Sequence, residues 1–180
     1  MDAITFLSIL TLLTNIALGV FILLYLLSRV GIFKTPWKFL VKKITPRAIL
    51  LGFIVALTAT LGSLYLSEIR GFEPCKLCWF QRVFMYPLPI ILGVSLWKKT
   101  KDVWQYVLPL SVIGLLIAVY HYYYQVTGST LIPCSTVGFS VSCSQRFFTY
   151  FGYITIPWMS LSAFALITTA MLLVKYQKRA

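Results

Sequence analysis

The chain has 180 residues, of which 59% are hydrophobic, 16% aromatic and only 11% charged, and its mean hydropathy is +0.87. A soluble domain is about a quarter charged and a little under half apolar, and a core of this size cannot hide so much apolar surface from water. The composition therefore argues against a globular cytosolic protein and for an integral membrane protein.

A membrane-crossing helix needs about 20 mostly apolar residues for roughly 30 Å of hydrocarbon, and five stretches qualify. The first, Ile4 to Leu27, contains no charge. Its opening residues, Met1-Asp2-Ala3, lack the basic start of a signal peptide, and its apolar run exceeds the roughly 7–15 residues of a signal core. It is read as a retained helix. A basic loop follows, in which Thr35 can cap a short helix with Pro36 at its first position. Phe33, Trp37, Leu40, Val41 and Ile44 would share one face, and Lys34, Lys38 and Lys42 another. The segment reads either as an amphipathic helix on an anionic leaflet or as a basic tether that holds topology.

The remaining spans are Ala48 to Leu66, Trp79 to Trp97, Val103 to Tyr124 and Ile154 to Val174. Backbone groups in lipid must be satisfied within their own segment, and no alternating barrel pattern is present, so each is read as a helix. The expected fold is all-α: an integral membrane four-helix bundle in residues 47–180, plus one additional transmembrane helix and its basic linker in residues 1–46. Polar residues within the spans are mild (Thr58, Thr60 and Ser63), and Pro87, Pro89 and Pro109 are expected only to bend helices.

Basic residues set the orientation. Arg29, Lys34, Lys38, Lys42, Lys43 and Arg47 lie between spans one and two, Lys98, Lys99 and Lys101 between three and four, and Lys175, Lys178 and Arg179 after five. The opposite side keeps Arg70, Lys76, Arg82 and Arg146 with the acids Asp2, Glu68 and Glu73. Twelve against four is a positive-inside bias. It predicts an N-terminus outside the cell membrane and a cytoplasmic C-terminus. The net charge of +12 then reports topology, and no nucleic acid is expected as a partner.

That topology, derived without the cysteines, puts all four on the outer face, where disulfides persist. Cys75 and Cys78 have the Cys-x-x-Cys spacing, with Cys78 where span three begins. Unpaired amides at a helix start, and Arg82 four residues on along the same face, would stabilise a Cys78 thiolate. Arg82 is costly so near hydrocarbon and either snorkels to lipid phosphate or meets an anionic or carbonyl-bearing partner. His121, the one histidine, and Gln125 lie a turn apart near the outer end of span four. Arg82, His121 and Gln125 at one depth could hold a quinone by its carbonyls.

Cys134 and Cys143 flank a Ser-, Gly- and Thr-rich segment. It suits either an exposed disulfide that another protein reaches or a permanent staple. Phe147, Tyr150 and Phe151 have helical spacing and suggest a short interfacial aromatic helix before Pro157 opens the last span.

These residues resemble the DsbB/BdbC family of membrane thiol oxidases. The resemblance rests on Cys75-Lys76-Leu77-Cys78-Trp79-Phe80-Gln81-Arg82, on His121 with Gln125, and on Pro133-Cys134, Cys143, Gly152 and Pro157, and it covers roughly residues 47 to 175. It implies that Cys134 forms a mixed disulfide with a soluble or tethered thioredoxin-like oxidase of the DsbA/BdbD type, with Cys143 as its partner. It also implies an inter-loop step in which Cys75 and Cys143 can pair. Cys78 would face a membrane quinone, ubiquinone or menaquinone, with Arg82, His121, Gln81 and Gln125 as cofactor-binding candidates. No resident metal is expected. Three departures stand out: the first span has no counterpart, the Cys134–Cys143 interval is short, and Gln81 stands where some relatives carry an acid.

Three other readings compete. A tetrathiolate zinc site could join the two loops, although Cys-x8-Cys is not a tight knuckle and an oxidising compartment disfavours free thiolates. A small transporter with incidental disulfides would need mid-span polar groups that are scarce here. A third reading reverses the electron flow, so that outer disulfides are reduced.

Overall fold

The computed structural model describes residues 3–30, 34–128 and 142–179. Seven α-helices follow one another among them: α1 (Ala3–Val30), α2 (Lys34–Ile44), α3 (Ala48–Leu64), α4 (Lys76–Met85), α5 (Pro87–Lys98), α6 (Trp104–Thr127) and α7 (Ile156–Arg179). Five helical runs are long and apolar enough to cross a membrane: Ala3–Val30, Phe39–Ile69, Lys76–Lys98, Trp104–Thr127 and Ile156–Gln177. They match the five apolar stretches of the sequence, and the fold is all-α as expected.

The joints have local causes. A 3-10 turn at Thr45–Arg47 carries Pro46 and links α2 to α3, and Thr45 Oγ1 donates to the Val41 carbonyl at 2.6 Å. α3 runs into a π turn at Tyr65–Ile69, a feature that often accompanies functional sites. The third span divides at Tyr86, because Pro87 and Pro89 bring no backbone N–H to the first turns of α5. Gly128 closes α6 in the left-handed region at φ 67°.

The core lies among α3, α5, α6 and α7, around the fully buried Leu88, Leu92, Val107, Phe164, Ile167 and Met171. Gly114 is required there. A Cβ at that position would lie 2.2 Å from Phe164 Cε1, so only glycine lets the ring lie between α6 and α7. At the opposite end of the bundle from the cysteines, the Lys175 ammonium lies 5.2 Å from the Trp104 ring centroid.

α1 packs on the outside of this bundle. Phe6, Leu13, Ile16, Val20, Leu23 and Leu26 are more than half exposed, as expected of a lipid-facing surface. Its inner stripe is small and polar: Ser8 and Thr11 are buried, and Asn15 Oδ1 accepts from Ser162 Oγ of α7 at 2.7 Å. Such short polar side chains let membrane helices approach closely. The basic loop does form a helix, α2. Its Trp37 packs against Phe21 at 5.0 Å and Tyr25 at 5.4 Å, so α1 receives part of its apolar face.

The expected aromatic helix at Phe147–Phe151 is absent. Phe151 at φ 52° and Gly152 at φ 78° are left-handed, which breaks a helix, and Tyr150 and Ile154 exchange two backbone hydrogen bonds of 2.9 Å across the turn. The aromatic side chains pack instead of coiling: Phe147 stacks on Phe72 at 4.7 Å, which ties the two cysteine-bearing connections together.

Candidate functional site

The site lies at one end of the bundle, where α4 begins and α6 ends. Cys75 caps α4 in an extended conformation (φ −71°, ψ 172°), and Trp79 N–H donates to its carbonyl at 3.1 Å. Two intervening residues then carry Cys78 back over the first turn. The Cys75 thiol donates to Cys78 Sγ at 3.3 Å. Cys75 is 4% exposed, and Cys78 is half-buried. The bond to Cys78, followed by burial, pushes the Cys75 thiol up from 9.0 to about 12, with His121 opposing in part. Cys75 is thus the sulfur that keeps its proton.

His121 reaches this pair from α6 and is buried. Gln81 Nε2 lies 3.1 Å from its Nδ1. An amide nitrogen only donates, so Nδ1 accepts and the ring proton lies on Nε2. Nε2 faces the Cys143 carbonyl at 3.2 Å and Cys75 Sγ at 3.5 Å. Cys75, Cys143 and Tyr124 form one buried cluster. Cys75, Cys78 and His121 offer three donor atoms within 4.8 Å of one another, and a thiophilic cation could take such a set once its ligands were deprotonated.

Gln125 is committed to structure. Its Nε2 donates to the Gln145 carbonyl at 3.1 Å, and its Oε1 accepts from Thr155 Oγ1 at 2.7 Å. Arg146 Nη2 bonds its backbone carbonyl at 3.1 Å. Gln125 therefore holds the segment after Cys143 against the end of α6. Cys134 and Pro133 lie outside the described residues.

Arg82 turns the other way, toward α3. Its Nε donates to Ser63 Oγ and its Nη2 to the Ser63 carbonyl, both at 3.0 Å. That carbonyl sits just before the π turn and also accepts from Ser67 Oγ at 3.3 Å. The guanidinium lies 5.1 Å from the Trp79 ring centroid and 5.9 Å from that of Tyr86. A charge this close to hydrocarbon needs such partners, and Ser63 supplies two neutral acceptors for it. Ser63 was visible in the sequence only as a mild polar residue within a span.

Beside Arg82 opens a cavity of about 210 Å³, largely apolar. Cys78, Gln81, Arg82 and Glu73 border it, together with residues of α1, α3 and α7. A second, much smaller pocket holds Cys75, Cys78, His121, Gln125 and Cys143. The polar residues singled out in the sequence are therefore split. Gln81 and Arg82 lie at the larger cavity, His121 and Gln125 lie on the Cys75–Cys143 side, and Cys78 borders both.

Fold and site together define a multi-span helical protein with a dithiol at the rim of its bundle, the arrangement expected of a membrane thiol–disulfide oxidoreductase. Known proteins agree. The profile described as "Disulfide bond formation protein DsbB" matches residues 45–174. "Disulfide bond formation protein C" of Bacillus subtilis (strain 168) is 48% identical over 129 residues, which cover 71% of this chain and 91% of that protein. "SPbeta prophage-derived disulfide bond formation protein B" of the same strain is 48% identical over 118 residues, covering 66% of this chain and 78% of that protein. "Probable disulfide formation protein C" of Halalkalibacterium halodurans is 41% identical over 127 residues, covering 71% and 92%. No solved structure matches the chain. The chain belongs to the DsbB family of disulfide bond formation proteins, whose chemistry is thiol oxidation. α1 and α2 fall outside the matched residues.

Proposed function

We propose that the chain is a quinone-dependent thiol oxidase that reoxidises a thioredoxin-like dithiol protein outside the cytoplasm. The observation that carries this reading is the position of Cys78, which borders both the pocket it shares with Cys75, His121 and Cys143 and the apolar cavity beside Gln81 and Arg82. Electrons from thiols on one side then have a single sulfur through which to reach an acceptor on the other. The cavity suits a quinone, being apolar over most of its wall with the donors Arg82 and Gln81 at the Cys78 end. Those two residues would hold the carbonyl oxygens, and the quinone would supply a two-electron acceptor dissolved in the membrane.

The protein's own groups account for the rest. A reduced partner attacks the Cys134–Cys143 disulfide through Cys134. The mixed disulfide resolves, leaving the partner oxidised and Cys134 and Cys143 as thiols. Exchange with the Cys75–Cys78 disulfide, passing through a Cys75–Cys143 bond, restores the outer disulfide and leaves Cys75 and Cys78 reduced. Closing the Cys75–Cys78 bond again forms one S–S bond and gives up two electrons and two protons. The Cys75 thiol donates to Cys78 Sγ, which favours negative charge on the sulfur nearer the acceptor, at a helix start that stabilises it. His121, steadied by Gln81, holds its Nε2–H 3.5 Å from Cys75 Sγ, where it can donate to that sulfur and stabilise the charge it gains as its proton leaves.

The positive-inside bias supports the orientation, with both cysteine pairs outside. Purified protein mixed with a reduced thioredoxin-like oxidase should consume thiols only when a quinone is added. Equal consumption without quinone would overturn the reading. Cys134→Ser should prevent capture of the partner as a mixed disulfide, whereas Cys78→Ser should stop turnover without preventing capture.

The zinc reading keeps one supporting observation, the clustering of Cys75, Cys78 and His121. Alkylating the denatured, unreduced protein separates the two. A zinc protein yields four reactive thiols, and the oxidase few or none.

A further inference from the structure

We propose that α1 forms one wall of the acceptor site and guides the hydrocarbon tail of the quinone. The inference rests on the quinone reading above and assigns a role to a helix outside the residues that the family profile covers. Leu7, Leu10, Thr11 and Thr14 of α1 line the same cavity as Cys78 and Arg82. They follow i, i+3, i+4, i+7 spacing, so they form one stripe extending roughly 10 Å along the helix.

The stripe has the chemistry of a tail site. Thr11 Oγ1 donates to the Leu7 carbonyl at 2.8 Å and Thr14 Oγ1 to the Leu10 carbonyl at 2.9 Å. With both hydroxyl protons used within the helix, the α1 wall offers the cavity leucine side chains and no spare hydroxyl donor. The donors Arg82 and Gln81 stand at the Cys78 end. Headgroup and tail are thus separated along one continuous space.

Packing ties α1 to that space. A Cβ on Gly62 would lie 3.3 Å from both Leu7 methyls, so glycine there lets Leu7 settle directly on α3. The next residue, Ser63, holds the Arg82 guanidinium. Leu7 therefore sits one residue from the group that binds the arginine. The Asn15–Ser162 and Thr5–Tyr150 hydrogen bonds pin the helix on either side of the stripe, at 2.7 and 3.3 Å. α1 is held against the site at this end even though its outer face is given to lipid.

The test uses the full chain and two photoreactive quinones, one carrying its diazirine on the tail and the other, tailless, on the ring. Peptide mass spectrometry after irradiation should find the tail probe on residues 7–14 and the ring probe near Cys78. Tail label confined to α3 and α7 would overturn the proposal. Kinetics supply a second readout. Leu10→Trp, which fills the cavity, should raise KM for a long-tailed quinone about tenfold and leave KM for the tailless quinone unchanged. Leu10→Ala, a milder change should the tryptophan prevent folding, should raise the long-tail KM alone by a smaller factor. Leu13→Trp, on the lipid-facing surface, should change neither. Equal effects on both quinones, or the same effect from Leu13→Trp, would overturn the role of α1. If the parent protein turned over with neither quinone, the underlying function would fail instead.

Discussion

Gln81 in α4 and His121 in α6 meet through a 3.1 Å hydrogen bond, and both side chains are buried. The bond joins the two halves of the site: Gln81 also borders the apolar cavity, while His121 faces Cys75 and the carbonyl of Cys143. It fixes which imidazole nitrogen carries the proton, and hence what Cys75 meets.

Gln81→Leu should leave Nδ1 buried without its donor, at a cost of about 1–3 kcal/mol. Unfolding in mixed detergent should register that loss. The ring should also lose its single tautomer, which nitrogen NMR of labelled histidine reads directly. Retention of one tautomer with unchanged stability would show that Gln81 does not orient the ring.

The pH dependence of the reduced protein follows from Cys75, whose thiol is pushed up to about 12, first by its bond to Cys78 and then by burial. Below about pH 9 it is protonated both folded and unfolded, and it contributes nothing to the slope. Between about 9 and 12 the unfolded chain releases the proton and the folded one keeps it, so stability falls as pH rises. Alkylation of Cys75 should accordingly stay slow through pH 9. In Cys78→Ala, which removes the larger cause, the alkylation profile should move to lower pH.

Arg82 makes two bonds to Ser63 and stacks near Trp79. Lysine cannot reproduce that fork. Arg82→Lys should therefore weaken use of the acceptor, seen as a raised quinone KM, while thiol exchange with the partner proceeds at its normal rate. Ser63→Ala removes only the hydroxyl and keeps the carbonyl bond, so it loses one hydrogen bond to a charged group, at a cost of about 1.5–3 kcal/mol. Stopped-flow measurement of the two half-reactions separates these effects.

Gly114→Ala should be among the more damaging single changes in the bundle, because the added methyl meets the fully buried Phe164 ring. Overpacking of this kind costs typically 1–3 kcal/mol. Phe164→Leu in the same chain should recover part of it. A double-mutant cycle in detergent unfolding reports the coupling, and strict additivity would show that the ring moves aside freely.

The spans, the kink at Pro87 and the position of Cys78 at a helix start were all legible in the sequence. Each depends on residues within a turn or two of one another, where hydropathy and backbone chemistry act locally. The aromatic turn at Phe147–Phe151 misled because its spacing is helical, while the left-handed Phe151 and Gly152 and the stacking on Phe72 decide its conformation. α1 is apolar around most of its circumference, and although Thr11 and Thr14 mark one side of it, nothing in the stripe Leu7, Leu10, Thr11, Thr14 says that it meets the cavity beside Cys78.

Hydropathy, charge and cysteine spacing therefore determined by themselves a helical membrane protein with two cysteine pairs, since transfer free energy and ring closure are properties of short segments. Packing alone decided the division of the polar residues around Cys78, the Ser63 partner of Arg82 and the contact of α1 with the cavity. Those pairs bring together residues 19, 40 or 46 positions apart, and only helices settling against one another can choose which distant side chains meet.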